Sequence, residues 1–123
     1  LQMNNGGGVQ KLQFQVKNFN GTTFTLAGTN SINYNTNVMV SVTFSVNTGV
    51  ATSYINNTQD TQVYFFQGST MQNTYGQIYR LGYGSPGNSC WLGTIYSAQI
   101  YNRALTAAEI TQNFNAKRGR FGL

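Results

Sequence analysis

At 123 residues the chain has room for one domain with a single modest core. Only 7% of its residues are charged, against roughly 25% in an ordinary soluble domain, yet 8 Phe, 8 Tyr and 1 Trp exclude a disordered polar chain. The net charge of +5 comes from 7 basic and 2 acidic residues with no His, which removes Ser–His and Cys–His nucleophiles and zinc sites of the usual kind.

The polar surface is built from Asn, Gln, Ser and Thr, side chains that hydrogen-bond readily to hydroxyl-rich ligands or to neighbouring chains. Residues 1–9 contain Asn-Asn-Gly-Gly-Gly and read as a flexible lead-in. Between Gln10 and Lys17 the pattern alternates, with Leu12, Phe14 and Val16 on one face, as in a strand with one solvated side. Asn20-Gly21 is a two-residue hairpin signal, because both positions tolerate positive φ, and Phe24 and Leu26 continue on the returning strand to Ala27. Ile32 to Asn37 reads as a connection.

Val38 to Val46 is the most regular strand pattern, with Val38, Val40, Val42, Phe44 and Val46 facing one way. Asn47-Thr48-Gly49 turns the chain, Val50 to Ile55 returns, and Asn56-Asn57 turns it again into a strand from Thr58 to Phe66. Gln67 to Gly76 reads as loop, Gln77 to Tyr83 as strand, and Gly84 to Ser89 as loop holding the single Pro. Leu92 to Tyr101 is rich in β-branched and aromatic residues. Ile95, Ala98 and Ile100 do not share a face in a regular strand. Either both faces are covered or a bulge near Ser97 resets the register, and the bulge is the preferred reading.

Thr106 and Glu109 form a capping box, after which Ala107, Ile110 and Phe114 make one narrow apolar stripe on a helix over 107–115. A helix this short forms because the stripe docks, and burying its two large side chains contributes very roughly 3 to 6 kcal/mol before ordering costs. Residues 116–123 read as a basic tail, with Lys117, Arg118, Arg120 and Phe121 as partner-docking residues. The Gly-rich start and this basic end are expected to be held by neighbouring copies or other subunits.

Several strands punctuated by turns, followed by one C-terminal helix, predict an all-β antiparallel sandwich. Gly93-Thr94-Ile95, then Ile100-Tyr101-Asn102-Arg103-Ala104-Leu105-Thr106 and Glu109-Ile110, resemble the closing signature of concanavalin A-like jelly rolls of the laminin-G-like type. The resemblance is specific over about the last thirty residues and extends in weaker form back to about Lys11. The stretch VSVTFSVNTGVATSYINN resembles that family's central hairpin, with Asn57 standing where a left-handed Gly is usual. Because such jelly rolls carry further strands before the part seen here, the chain, which starts at Leu1 rather than Met, reads as lacking its N-terminal strands, the remainder of a longer polypeptide. The ending QNFNAKRGRFGL resembles the C-termini of such domains in tailed-phage and marine viral structural proteins.

With Asp60 and Glu109 as its two carboxylates, the chain has no convincing pair for glycoside hydrolysis, and no acidic cluster for calcium. No enzymatic activity, metal or cofactor is expected. Cys90, beside Trp91, reads as a small buried hydrophobe. Asn20-Gly21-Thr22 and Asn56-Asn57-Thr58 match the glycosylation acceptor pattern but read fully as turns. Aromatic and amide side chains at Tyr75, Tyr83, Asn88 and Trp91 are the candidate glycan contacts, set against a plain packing role for residues such as Tyr79 and Trp91.

Two functions follow. One is a non-enzymatic virion component, a phage capsid decoration or tail-fibre protein, with other virion proteins or copies of itself as partners and host glycans as a possible ligand. The alternative is an extracellular carbohydrate-binding or adhesion module of a secreted bacterial protein. Nucleic acid is a poor fit to the thin basic tail, and there is no apolar run long enough for a membrane span.

Overall fold

The computed structural model of the chain describes residues 2–6, 9–18, 20–65 and 93–123. Among these residues two three-stranded antiparallel sheets are formed. The first has the order β1 (Gln2–Gly6), β2 (Val9–Lys17) and β3 (Thr23–Ala27), and the second β4 (Val40–Ser45), β5 (Val50–Ile55) and β6 (Thr58–Tyr64). One helix, α1 (Ala107–Phe121), follows. The expected strands at 77–83 and 91–92 lie outside the described residues.

The alternation in β2 and β3 does what it predicts. Leu12, Val16 and Leu26 are buried, and Phe14 and Phe24 lie half-buried beside them. From the second sheet Phe44, Ala51, Val63 and the adjoining Phe65 complete the same cluster. Aromatic rings bridge the layers: Phe14 meets Phe44 at 6.4 Å, and Phe65 meets both Phe24, at 5.7 Å, and Phe44, at 5.9 Å. All three pairs are tilted, the arrangement that ring quadrupoles favour over a flat face-to-face stack. This is a β-sandwich core.

Three local readings are corrected. Residues 2–6, expected as a flexible lead-in, form β1, with Met3 opposite Leu12 and Gly6 opposite Val9. Their Asn/Gly composition carries no strand signal, and the open edge of β2 decides their conformation. The hairpin at Asn20-Gly21 closes one residue earlier than a two-residue loop: Asn18 N donates to Thr22 O and Gly21 N to Asn18 O. Gly21 takes the left-handed position at φ 81°. In the Asn56-Asn57 turn the left-handed residue is Asn56, at φ 57°, rather than Asn57. Asn56 is pinned there because its Oδ1 accepts from Met39 N at 3.0 Å while its own N–H donates to Met39 O at 2.7 Å.

The strand expected to end at Tyr101 is not formed over the described residues 93–106, which run without regular secondary structure. Residues 93–106 pair with none of the six described strands, so the bulge expected near Ser97 has no ladder to interrupt. The bulge occurs instead in β6. Ser53 pairs with Thr61 and Tyr54 with Gln59, so Asp60 is the extra residue.

The Thr106–Glu109 capping box is present: Glu109 N donates to Thr106 Oγ1 at 3.3 Å and Thr106 N to Glu109 Oε2 at 2.9 Å. Arg103 adds a bidentate pair to the same carboxylate, at 2.6 and 2.9 Å. Helix α1 buries Ile110 and Phe114, and it continues past 115 to Phe121, where Gly122 caps it in the left-handed conformation. Residues read as a tail are therefore its last turns, with Arg118 and Arg120 beside the negative end of the helix dipole. Lys117 Nζ donates to Gln99 Oε1, Phe121 stacks on Tyr96 at 5.5 Å, and Asn37 Nδ2 donates to Phe121 O at 2.8 Å, all within the chain.

Two stability predictions follow from these contacts. A Cβ on Gly28 would lie 2.5 Å from Asp60 Oδ2 and 3.0 Å from Leu12 O, whereas one on Gly119 meets nothing. Gly28→Ala should therefore destabilise by about 1–3 kcal/mol and Gly119→Ala stabilise by about 0.5–1 kcal/mol in urea denaturation. The second concerns the cap. The Arg103 guanidinium, then the Thr106 amide, hold the Glu109 carboxyl at about 2, below the ordinary 4.5. A depressed carboxyl pKa contributes stability that is complete above about pH 4.5 and lost as pH falls through about 2. The helical far-UV signal should show that acid loss, and Glu109→Gln should flatten it. Thr106→Ala should lower stability by about 1 kcal/mol at neutral pH.

Candidate functional site

The bulge in β6 governs the site. A regular strand would alternate Asp60 with its neighbours, but as the extra residue its carboxylate is re-aimed at the connection leaving β3. Oδ1 accepts from Thr29 N at 3.1 Å, Asn30 N at 2.8 Å and Asn30 Nδ2 at 2.8 Å. Next to it Thr61 Oγ1 lies 2.7 Å from Thr29 Oγ1 and accepts from Thr29 N at 3.2 Å. Charge-assisted bonds of this kind are among the stronger hydrogen bonds in proteins. Gly28 makes the approach possible, since any side chain there would collide with Asp60 Oδ2.

Ser53, fully buried on β5, repairs the ladder that the bulge interrupts. Its hydroxyl accepts from Thr61 N at 3.2 Å and lies 3.3 Å from Thr61 O. No buried side-chain polar atom is left without a partner among the described residues. β5 is covered on both faces, with Ala51, Thr52, Ser53 and Tyr54 all buried, so the strand beneath the bulge is packed from both sides.

Above this network lies an open pocket of about 350 Å³ lined by Asn30, Ser31, Ile55, Thr58, Gln59 and Asp60. It sits where the β3–β4 connection meets the β5–β6 hairpin. Its wall is made of amides, hydroxyls and one carboxylate, with one aliphatic side chain, and Ser31, Thr58 and Gln59 are exposed. That donor and acceptor set suits a neutral, hydroxyl-rich ligand held by several moderate hydrogen bonds. It is a poor match to a metal ion: no group of three His, Cys, Asp or Glu side chains occurs among the described residues.

Of the residues singled out in the sequence, Tyr75, Tyr83, Asn88 and Trp91 lie outside the described residues, as do Tyr79 and Cys90. Thr106 and Glu109 meet at the helix start, while Lys117, Arg118, Arg120 and Phe121 lie at its end. The pocket is a site that sequence reasoning missed. A signal was available in Asp60, one of only two acidic residues, set among Thr and Gln in a strand pattern that has no use for a charge. Of the two glycosylation-type motifs, Asn56 has its side chain committed to Met39, and Asn20 lies exposed in its turn.

A search of curated proteins finds no match. In structure the chain is similar to an S-layer domain-containing protein from Clostridium thermocellum ATCC 27405, the crystal structure of its residues 221–444, with a TM-score of 0.54 and 21% identity. The similarity covers 87% of this chain and 52% of that one, so the chain spans about half the length of its structural counterpart. Neither this match nor the family one concerns a virus particle. The family model Laminin_G_3, described as the concanavalin A-like lectin/glucanases superfamily, matches residues 1–111. Two antiparallel sheets sharing one core, a C-terminal helix and a match over most of the length place the chain in the concanavalin A-like lectin/glucanase superfamily.

Proposed function

We propose that the chain is a non-catalytic carbohydrate-binding and adhesion module exposed at a bacterial cell surface, with the pocket over Asp60 as its sugar contact. The family description spans binding and hydrolysis, so the choice rests on the carboxylates. Hydrolysis of a glycosidic bond ordinarily uses two, one as acid and one as base or nucleophile. This chain has Asp60 and Glu109. Glu109 is held by Arg103 and Thr106 at the helix start, and Asp60 Oδ1 already accepts three N–H groups. This use of both carboxylates in structural bonds supports binding over hydrolysis.

The single observation that carries the binding reading is the open pocket lined by amide, hydroxyl and carboxylate side chains beside one aliphatic one, over the β5–β6 hairpin. Sugars are bound by such surfaces through hydroxyl-to-amide and hydroxyl-to-carboxylate bonds, without the enclosure an apolar ligand needs. The S-layer domain-containing counterpart supports a cell-surface setting. No corresponding observation supports a virion component, so the surface module takes precedence.

A neutral glycan array followed by calorimetry tests the proposal. At least one neutral oligosaccharide should bind with Kd of about 1 mM or tighter, and Gln59→Ala and Thr58→Ala should each weaken it by about threefold to tenfold. Both positions are exposed, so thermal melting should be unchanged. An array without a hit, or release of reducing sugar from a bound glycan, would overturn the reading.

A further inference from the structure

We infer a second binding surface, made by the connection 93–106 and one stripe of α1, whose ligand is a polysaccharide bearing carboxylate groups. It shares no residue with the pocket over Asp60 and does not depend on it. Asn113, Lys117 and Phe121 fall at i, i+4 and i+8 of α1 and so lie on one stripe. Opposite them the connection supplies Tyr96, Gln99 and Tyr101. Asn113 Nδ2 donates to Tyr101 OH at 3.2 Å, Tyr101 OH donates to Gln99 Oε1 at 3.1 Å, and Lys117 Nζ donates to the same Gln99 oxygen. Phe121 stacks on Tyr96 with the rings 26° apart, and the Arg120 guanidinium lies 5.3 Å from the Phe121 centroid.

Two properties of this surface point to a ligand. Tyr96 remains 59% exposed and Tyr101 44% exposed although both are fixed in place. Such pre-oriented rings lose little freedom on binding and present flat apolar faces to a sugar ring. The second property is charge. Both side-chain carboxylates of the chain are committed elsewhere, Asp60 to Thr29 and Asn30, Glu109 to Arg103. Lys117, on the stripe, and Arg120, about 60° from it around the helix, therefore present positive charge that no side-chain carboxylate of the chain answers. Guanidinium groups recognise carboxylates through paired N–H donors. Rings for sugar faces, amides and a phenol for hydroxyls, and cations for carboxylates together describe a uronate-containing polymer. Three cations at one helix end make a short track for a nucleic-acid backbone, which needs a continuous basic groove.

The test uses the whole chain with polygalacturonate, a neutral dextran and a single-stranded oligonucleotide as probes. Polygalacturonate should bind at about 0.05 M salt and weaken at about 0.5 M, as screened charge pairs do. Tyr96→Ala should weaken it by about tenfold, and the Lys117→Gln/Arg120→Gln double variant by at least as much. Lys17→Gln removes one charge from the exposed face of β2 and should leave binding within about twofold. Should Tyr96→Ala melt early, Arg120→Gln, whose side chain is exposed, decides alone. Equal losses in Lys17→Gln and the site variants, no loss in the site variants, no binding of polygalacturonate, or tighter binding of the oligonucleotide would each overturn the inference.

Discussion

One carboxylate, displaced from a strand by a single extra residue, ties the two sheets together at their rim. Asp60 stands where β6 carries two residues against one on β5, and its Oδ1 collects the backbone amides of Thr29 and Asn30 from the other sheet's outgoing connection. Hydrophobic burial supplies most of the free energy that holds such layers together, but burial has no direction. Hydrogen bonds to a fixed charge do, and they set how the β3–β4 connection lies on the β5–β6 hairpin. Gly28 and Ser53 are the two accommodations this requires, one giving room and the other restoring lost ladder bonds. The pocket is a consequence of the same geometry, since its floor is the latch itself.

The second carboxylate is used in a comparable way. Glu109 closes the helix start, accepts both arms of Arg103 and so ties the irregular connection to α1. Both side-chain carboxylates thus serve the fold. Of the basic side chains, Lys117, Arg118 and Arg120 lie toward the end of α1. On the proposed reading the sandwich is a scaffold with recognition at its edges, where loops and the helix present amides, hydroxyls and tyrosines.

The core was legible wherever a strand keeps period two. Leu12, Phe14 and Val16, then Phe24 and Leu26, could be read as one apolar face because each strand has one dry side. The capping box was legible because its two residues and their spacing are local. What sequence could not provide were features decided by partners distant along the chain. β1 is a strand because β2 offers an edge, although its Asn and Gly residues argue otherwise. The segment 93–106 has strand-forming residues and pairs with none of the described strands, so propensity misled. The helix was read as ending near 115 because the apolar stripe ends there, while contacts of Lys117 with Gln99 and Phe121 with Tyr96 extend it. The pocket depends on a bulge and a contact across thirty residues, neither of which has a sequence period.

Amide hydrogen exchange at Thr29 and Asn30 measures the latch most directly. Both amides belong to an irregular, exposed connection; Asn30 N is held by Asp60 alone, and Thr29 N is shared between Asp60 and Thr61 Oγ1. The account predicts protection of both in the native chain, close to that of β5 amides, and its loss at Asn30 in Asp60→Ala together with destabilisation of about 1–3 kcal/mol. Fast exchange of both amides in the native chain, or protection of Asn30 that survives Asp60→Ala, would contradict it.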